Sequence, residues 1–337
     1  MSNANMVVTW SNNWMSAIDD KARICEVSIP GSHESCARYG GSSAHCQWRS
    51  VIDQLSRGIR FLDVRCDIVA PKGEAGSPVD EPGDPEIYLF VRHGTMNQAV
   101  TFQEIQAQCV AFLAANPSEF ILMNLQMEET TKGDTFAQKF TEMTQPYLNY
   151  WHFGDALKKD AAGNPVSDFP KVGDVRGRII LIRATAGGGW PTHMKPGSLP
   201  GQGGMVWNGC EIDDVSSSTL FQTQNGWSKW NGTEKGDEVE KYIKGADAWA
   251  KQGQMTLNFA SYSWGAQSPG RNAAGMNVRL QKFLKNHDFG SVVGVIPIDF
   301  VSNTGDGGES LENLIIQHQR HQKAGYSYGG LASWVQP

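Results

Sequence analysis

The sequence of 337 residues predicts a single α/β domain, residues 1–337, built as a (β/α)8 barrel. Three observations predict this fold class. Short apolar runs of strand length recur along the chain, with helix-like amphipathic stretches between several of them. The composition, 40% hydrophobic and 19% charged, is that of an ordinary globular protein. No repeat or linker divides the chain, because strand-like runs resume after the Pro- and Gly-rich stretches 71–85 and 187–204.

Each predicted strand is a short apolar run. The eight predicted strands cover residues 25–29, 59–64, 87–91, 120–125, 179–182, 219–222, 255–260 and 291–298. The predicted helices cover residues 48–56, 102–115, 134–149, 236–251 and 272–286, and an amphipathic segment at 309–323 closes the ring. The helix 102–115 is expected to end at Asn116-Pro117, because a proline disfavours helical geometry in the residue before it.

Composition and charge argue against several classes of function. The formal net charge of −6 and the lack of a Lys/Arg-rich run argue against nucleic-acid binding. No stretch approaches the roughly 18 apolar residues of a membrane-spanning helix, and the N-terminus has no apolar signal-peptide core. None of the six cysteines belongs to a CxxC pair, so a zinc site is not expected. We therefore expect a soluble monomer, cytoplasmic or secreted, that contacts membranes only peripherally.

Polar or ionisable residues follow nearly every predicted strand. In (β/α)8 barrels the site lies at the C-terminal ends of the strands. The residues at these ends are His33, Glu34, Asp63, Arg65, His93, Gln126, Arg183, Asn225, Tyr262 and Asp299. We expect them to face one site. The alternatives are packed or surface histidines and a purely structural ion pair between Asp63 and Arg65.

Two histidines and an arginine in this set suit phosphodiester chemistry. Because an imidazole titrates near neutral pH, His33 and His93 can serve as proton acceptor and proton donor. Asp63 and Arg65 lie two residues apart on one strand and share a face, so Asp63 can hold the guanidinium against phosphate oxygens. Asp299 can accept a hydrogen bond from an imidazole N–H. Metal ligation is the competing use of these side chains.

Three short motifs carry these residues. Residues 29–35 read Ile-Pro-Gly-Ser-His-Glu-Ser, residues 54–65 read Gln-Leu-Ser-Arg-Gly-Ile-Arg-Phe-Leu-Asp-Val-Arg, and residues 92–94 read Arg-His-Gly. In this order and spacing, over residues 20–126, they resemble the X-domain signatures of bacterial phosphatidylinositol-specific phospholipases C. The resemblance implies a distorted, partly open TIM barrel. It also implies cleavage of phosphatidylinositol, by attack of the inositol 2-hydroxyl, into diacylglycerol and a cyclic inositol phosphate.

The resemblance further implies a role for each site residue and no cofactor. The implied catalytic residues are His33 as general base with Asp299, His93 as general acid with Glu34, and Arg65 with Asp63 as the contact to phosphate. The implied substrate-binding residues are Arg183, Gln126, Asn225 and Trp227.

Two positions depart from the family pattern. The motif has Asp after the first His, where this chain has Glu34, and the added methylene changes the reach of the carboxylate. The family's inositol-binding Gln-Asp-x-Tyr is replaced by residues 224–227, which read Gln-Asn-Gly-Trp. Asn225 can hydrogen-bond sugar hydroxyls but brings no charge, while Trp227 can stack as Tyr does. The residues that match the family pattern therefore support the type of reaction more strongly than the identity of the headgroup.

Arg65 bears on the question of a metal ion. Calcium-dependent relatives carry a second carboxylate at this position, so we expect a metal-independent enzyme. A rival is a metal-dependent phosphodiesterase of the glycerophosphodiester phosphodiesterase or sphingomyelinase D type, which has Glu-x-Asp on the second strand, where this chain has Asp63-Val64-Arg65. Another rival is a non-enzymatic headgroup-binding X domain, against which the intact histidines argue.

Two of the 11 tryptophans are candidates for membrane contact. Trp48 follows the first site loop on the predicted helix 48–56, and Trp264 lies in the Gly/Pro-rich loop after the seventh predicted strand. Tryptophan favours the membrane–water interface because its ring is amphipathic. Ordinary packing in the core is the alternative for each.

Overall fold

The computed structural model describes residues 6–8, 12–69, 88–128, 133–153, 158–159, 165–166, 169–184, 205–207, 215–218, 220–226, 231–263, 267–302, 309–323 and 326–328. The strands of these residues are β1 (Met6–Val8), β2 (Ile29–Ser32), β3 (Phe61–Val69), β4 (Tyr88–His93), β5 (Met96–Thr101), β6 (Ile121–Met127), β7 (Trp151–His152), β8 (Lys158–Lys159), β9 (Pro165–Val166), β10 (Ile179–Ala184), β11 (Met205–Trp207), β12 (Val215–Ser217), β13 (Phe221–Gln224), β14 (Met255–Asn258), β15 (Val295–Ile298) and β16 (Tyr326–Tyr328). The α-helices are α1 (Val51–Ser56), α2 (Phe102–Ala115), α3 (Gly133–Thr144), α4 (Val172–Val175), α5 (Gly232–Lys251), α6 (Pro269–Lys285) and α7 (Leu311–Gln317). Short 3₁₀ helices cover Trp14–Ala17, Ile24–Glu26, Gly41–Ser43 and Gln145–Tyr150.

The central feature is a curled sheet whose strands follow the order β11-β10-β6-β3-β2-β15-β14-β13-β12. Every neighbouring pair from β11 to β13 is parallel, and β12 adds an antiparallel edge. Within the described ranges no pairing joins β11 to β12, so the barrel is open there. Parallel strands end at one edge of a sheet, so the residues after β2, β3, β6, β13 and β15 meet at one rim. That residues 1–337 form a single domain stays a prediction.

Apolar side chains on both faces of the strands hold this sheet. On β3 successive residues alternate, with Phe61 in the barrel interior, where its ring lies 6.2 Å from that of Phe259, and Leu62 in the cluster that includes Phe102 of α2. Sheets buried on both faces read as nearly continuous apolar runs, which is why these strands were visible in the sequence. None of the helices described here is both long and apolar enough to span a bilayer.

The predicted third strand, 87–91, was wrong as a barrel strand. It is β4, which pairs antiparallel with the far half of β3, from Cys66 to Val69, and turns tightly into β5. Strand β3 extends beyond its parallel contacts with β2 and therefore leaves backbone groups free for a hairpin. His93 thus reaches the rim from a hairpin. The short strand β11, which was not predicted, extends the parallel array beyond β10 instead.

Other predicted elements are shifted by a few residues, and the shifts of the first strand and the first helix have a local cause. The first strand begins at Ile29 and not at Cys25, because residues 24–26 form a 3₁₀ turn whose apolar side chains are buried without strand pairing. The predicted helix 48–56 begins only at Val51, since the Ser50 hydroxyl accepts the Asp53 N–H and caps it there. Trp48 therefore lies in the loop before the helix.

A buried ion pair closes the end of the barrel opposite the rim. Arg60, just before β3, donates from Nε to Glu119 Oε2 at 2.9 Å, and both side chains are fully buried. The guanidinium also donates to the carbonyls of Leu55 and Ile59, and Glu119 accepts the N–H of Met15 at 3.1 Å. The pair thus ties the N-terminal segment to the starts of β3 and β6.

Replacing one member of this pair should destabilise the protein strongly. In Arg60→Met the carboxylate of Glu119 stays buried without its counter-charge, and such losses are typically about 3–5 kcal/mol. Urea unfolding monitored by circular dichroism measures the change. The double variant Arg60→Met/Glu119→Gln should recover part of the loss. A single variant within about 1 kcal/mol of the parent would show that water or another cation reaches Glu119.

Candidate active site

Side chains from separate parts of the sequence line one pocket at the rim, with a volume of about 220 Å³. Its described lining comprises His33, Glu34, Ser43, Cys46, Arg65, His93, Gln126, Asn225, Ser261, Tyr262, Ser263, Pro269 and Asp299. A larger, more open cleft of about 740 Å³ lies beside it at α5 and α6, but Arg279 there is already paired with Glu240 and Asp237. The pocket with both histidines is therefore the candidate site.

His33 and Asp299 form the first pair of the site. They follow β2 and β15, whose pairing runs from Val295 beside Ile29 to Ile298 beside Ser32, so their backbones emerge side by side. The imidazole Nδ1 lies 2.8 Å from Asp299 Oδ1, and the carboxylate is nearly buried. A carboxylate accepts, so Nδ1 carries the hydrogen and Nε2 is left as an acceptor that faces the pocket.

Asp63 and Arg65 project from β3 toward the same pocket. Asp63 Oδ1 accepts from Asn124 Nδ2 at 2.8 Å, and Oδ2 accepts from the Glu34 N–H at 3.1 Å and from Arg65 Nη2 at 3.2 Å. Burial by itself raises the pKa of Asp63, but the adjacent Arg65 charge and these donors bring it below its usual value. Arg65 Nη2 also lies 3.4 Å from His33 Nε2. The guanidinium is thus held beside the proposed proton acceptor.

Glu34 occupies an unusual backbone conformation. Its φ of +43° is in the left-handed region, which a non-glycine residue adopts only when surrounding contacts hold it there. The Asp63 carboxylate supplies one such contact by accepting its N–H. Glu34 Oε1 lies 2.8 Å from Arg65 Nη1 and 3.9 Å from His93 Nε2. Complete burial raises the pKa of Glu34 to about 8 although Arg65 opposes the shift.

His93 reaches the pocket from the end of β4. Its Nδ1 lies 2.9 Å from the carbonyl of Ala44 and therefore donates to it, which leaves Nε2 toward Glu34. The next residue, Gly94, has a φ of +56°, which suits glycine and allows the tight turn into β5. His93 is thus anchored from two sides, by its strand and by the loop that contains Ala44.

The structure also fixes where the other predicted site residues lie. Gln126 and Asn225 line the pocket, together with Tyr262. Trp48 is exposed over 59% of its surface and packs against the rings of His45 and Phe300. The side chain of Arg183, and both Trp227 and Trp264, lie outside the described residues.

Donor atoms that suit a soft metal ion are also close together in the described part of the site. One ligand atom each of His33, Cys46 and Asp299 lies within 4.8 Å of the others. Imidazole, thiolate and carboxylate are zinc ligands. However, the His33–Asp299 hydrogen bond occupies two of these donors, Arg65 adds a positive charge, and burial raises the pKa of the Cys46 thiol well above its usual value. The residues therefore favour an anion and not a cation.

A comparison with protein-family models decides the family. Residues 21–185 match the model described as "Phosphatidylinositol-specific phospholipase C, X domain". The region 21–185 of this chain is thus an X domain of that family. The match contains the strands that carry His33, Asp63, Arg65 and His93, while Asp299 lies beyond it.

Similarity to individual relatives extends over most of the chain. The 1-phosphatidylinositol phosphodiesterase of Listeria monocytogenes is 26% identical over 321 residues, which are 92% of this chain and 86% of the relative. That of Staphylococcus aureus strain Newman is 22% identical over 322 residues, 91% and 94% of the two chains. The solved structure of the L. monocytogenes phosphatidylinositol-specific phospholipase C has a TM-score of 0.69 at 21% identity and covers 91% of this chain and 98% of its own. An S. aureus structure has a TM-score of 0.70 at 20% identity, covering 91% and 97%. The predicted barrel fold is confirmed.

Two residues that organise the X-domain site were missed in the sequence. Asn124 lies in the middle of β6, and its amide donates to Asp63. The sequence did offer a signal for Asn124, because a polar residue inside an otherwise apolar strand is buried and must have a hydrogen-bond partner. Gln47 is fully buried and donates to the backbone of His33. It lies in a loop, where periodicity gives no signal.

The raised pKa of Glu34 in this X domain predicts a pH-dependent stability. The ordinary pKa of a glutamate is 4.5, and that of Glu34 in the folded protein is about 8. Between these two pH values the folded protein retains a proton that the unfolded chain releases, so the free energy of unfolding should fall as pH rises through this range. Glu34→Gln should flatten that slope and stabilise the protein at pH 8, on the order of a few kcal/mol. Urea unfolding at pH 5, 6, 7 and 8 measures it.

The control for this prediction is Glu142→Gln. Glu142 lies near the end of α3, is largely solvent-exposed, and has a pKa lowered by its hydrogen bond with Lys139. Its replacement should leave the slope between pH 5 and 8 unchanged. A parent-like slope in Glu34→Gln would mean that Glu34 is ionised throughout this range.

Proposed function

We propose that this protein is a phosphatidylinositol-specific phospholipase C that forms diacylglycerol and a cyclic inositol phosphate. The observation that carries the proposal is that two histidines line one pocket around Arg65, each with its Nδ1 bonded to a fixed acceptor and its Nε2 toward the pocket. The activity named for the curated relatives supports the same substrate class. We further propose that the enzyme acts as a monomer and that no metal ion takes part.

His33 is the general base of the proposed reaction. Its Nε2 accepts the proton of the inositol 2-hydroxyl as that oxygen forms a bond to phosphorus. Asp299, 2.8 Å from Nδ1, holds the tautomer in which Nε2 carries no hydrogen and stabilises the imidazolium that results. The base therefore needs no rearrangement before it acts.

His93 is the general acid. When the bond between phosphorus and the glycerol oxygen breaks, the imidazolium donates a proton from Nε2 to that oxygen, and diacylglycerol leaves. Glu34, 3.9 Å from Nε2, is the described carboxylate placed to interact with this nitrogen. Because Glu34 has a high pKa and contacts Arg65, its protonation depends on the charge of the bound phosphate.

Arg65 stabilises the phosphate. A planar guanidinium binds two phosphate oxygens at once, and in a water-poor pocket such contacts are strong. Asp63 holds the guanidinium in place by accepting a hydrogen bond from its Nη2. Because Arg65 occupies the space in which a metal ion would act, the proposed chemistry is metal-independent.

The inositol ring lies over the remaining rim residues in this proposal. Gln126 and Asn225 are half-buried, and each offers an amide to ring hydroxyls. Arg183 and Trp227 complete this set by family resemblance. The amide of Asn225 can both donate to and accept from ring hydroxyls, so a headgroup that contains inositol is the proposed substrate.

Exposed apolar side chains surround the pocket on the side of the loop 36–49. Tyr39 is 51% exposed, Trp48 59% and Met96 42%. The backbone N–H of Tyr39 donates to Gln98 on the hairpin, so these side chains belong to one surface. The S. aureus phospholipase C in the comparison was studied for its membrane binding. We propose that Trp48, together with Trp264, enters the lipid interface.

The reaction itself is the first test. Phosphatidylinositol should give diacylglycerol and a cyclic inositol phosphate, with the same rate in EDTA, because Arg65 and not a metal ion stabilises the phosphate. Phosphorus NMR of the early products measures both. A linear phosphate as the only early product would contradict internal attack, and activity that is lost in chelator and restored by calcium would contradict the metal-free mechanism.

The two histidines should differ in one respect. His33→Ala and His93→Ala should each lower kcat by about 10²–10⁴-fold, and the double variant should lose less than the product, since both act in one proton path. A substrate with a nitrophenol leaving group, which needs no protonation, should restore part of the rate to His93→Ala only. A variant that keeps more than about a tenth of the activity would remove that residue from its role.

Trp48→Ala should weaken binding to phosphatidylcholine vesicles while sparing hydrolysis of a soluble cyclic inositol phosphate. Burial of a ring contributes on the order of 25 cal/mol per Å² of apolar area, enough for a several-fold change in partitioning. Vesicle sedimentation measures it. The control is Phe289→Ala, a 36% exposed aromatic before β15 at the other end of the barrel. Equal losses in both variants would place the interface elsewhere.

A further inference from the structure

We infer that Gln47 is a residue that positions the His33–Asp299 pair. The side chain is fully buried, and among the described residues its amide bonds to backbone groups that flank this pair. Nε2 donates to the carbonyl of His33 at 2.8 Å and to that of Ile298 at 2.9 Å. Oε1 accepts the N–H of Val301 at 3.1 Å. The inference rests on the proposed function, in which this pair is the base.

The pair needs such a residue because it lies beyond the strands. The ladder between β2 and β15 ends where Ser32 stands opposite Ile298. Past that point one further backbone bond, from His33 N to Ile298 O at 3.0 Å, joins the two segments directly. The pairing of the strands therefore fixes the backbone positions of His33 and Asp299, but not how their side chains approach each other. Gln47 continues the ladder with a side-chain amide.

The turn after Asp299 also requires external support. Phe300 and Ser302 have φ angles of +53° and +63°, and each non-glycine residue in this region costs about 1–3 kcal/mol. The loop that contains Gln47 holds this turn at two points. The Phe300 N–H donates to the carbonyl of Cys46 at 2.8 Å, and Gln47 accepts from Val301. Asp299 is thus held in place by contacts on both sides of it.

The chemistry of the contacts requires glutamine. Two carbonyls need donors and one N–H needs an acceptor, and one amide of the right length supplies all three. Glutamate of the same size has no hydrogen to donate at neutral pH, and methionine matches the shape without either function. The same loop presents Trp48 to the exterior, where its ring lies 4.9 Å from that of Phe300. The residue that positions the base is therefore next to the surface proposed to contact lipid.

A buried amide at the opposite end of β2, that of Gln319, provides a matched control. Gln319 is 4% exposed, donates from Nε2 to the carbonyl of Ser28 at 2.7 Å, and accepts the Ser28 N–H at 3.1 Å. Ser28 immediately precedes β2, so this amide acts at the end of the strand opposite the site. Its replacement removes a comparable set of buried bonds without touching the pair.

The test compares Gln47→Met with Gln319→Met in the full chain. Both should lower the unfolding temperature. Only Gln47→Met should lower kcat for a soluble inositol phosphate substrate, by about 10²-fold with KM within about threefold, because small misplacements of a catalytic group have effects of this size. Proton NMR gives an independent readout. The low-field signal of the His33 Nδ1 proton, identified by its absence in His33→Ala, should broaden or move upfield in Gln47→Met and persist in Gln319→Met.

Several outcomes would overturn the inference. They are a parent-like kcat and NMR signal in Gln47→Met, a loss that appears in KM alone, or equal losses of kcat in both variants. If Gln47→Met does not fold, Gln47→Asn, which keeps the amide but shortens its reach, is measured in the same way. If the protein does not cleave phosphatidylinositol at all, the proposed function fails, while the NMR comparison still decides whether Gln47 holds the pair.

Discussion

The carboxylate of Asp63 is the constraint on which the rest of the site depends. It joins three segments: the turn after β2 through the Glu34 N–H, strand β6 through Asn124, and its own strand through Arg65. The backbone of Asp63 is paired as well, since its N–H donates to Ser35 Oγ and its carbonyl accepts the Ser35 N–H, both at 2.8 Å. A buried carboxylate with this many donors stays ionised, and its charge in turn fixes the guanidinium.

Charged and titratable groups follow one another across the pocket from Asp63. Arg65 lies between Asp63 and Glu34, and its Nη2 lies near His33. Because Glu34 has a pKa of about 8, it carries a proton below that pH, and the charges of Asp63 and the guanidinium then balance each other. The side chain at position 34 thus places a group that titrates near pH 8 between Arg65 and His93.

The two histidines are held by different kinds of structure. His33 extends from the end of a parallel strand and is fixed by Asp299 and by the segment that contains Gln47. His93 extends from an antiparallel hairpin that pairs with the outer half of β3, and its Nδ1 is anchored on the carbonyl of Ala44. The loop 36–49 contacts both, through Ala44 and Gln47. One loop therefore helps to set the separation of the two histidines and carries the exposed ring of Trp48.

The sequence by itself determined most of the barrel strands, the barrel class and the resemblance to the X-domain family. Strands buried on both faces are apolar runs that can be read directly, and the motifs around His33, Asp63 and His93 are local in sequence. The tertiary structure decided what depends on distant segments. It paired β4 antiparallel with β3 because β3 extends beyond its parallel neighbours, and the sequence of a strand does not show which distant strand will pair with it. It brought Gln47 to the carbonyl of Ile298, the residue before Asp299, and it set Glu34 nearer to Arg65 than to His93. Hydrogen bonds and charges act over a few ångströms in space, whereas a sequence pattern records only neighbours along the chain, so which polar group meets which was fixed by folding.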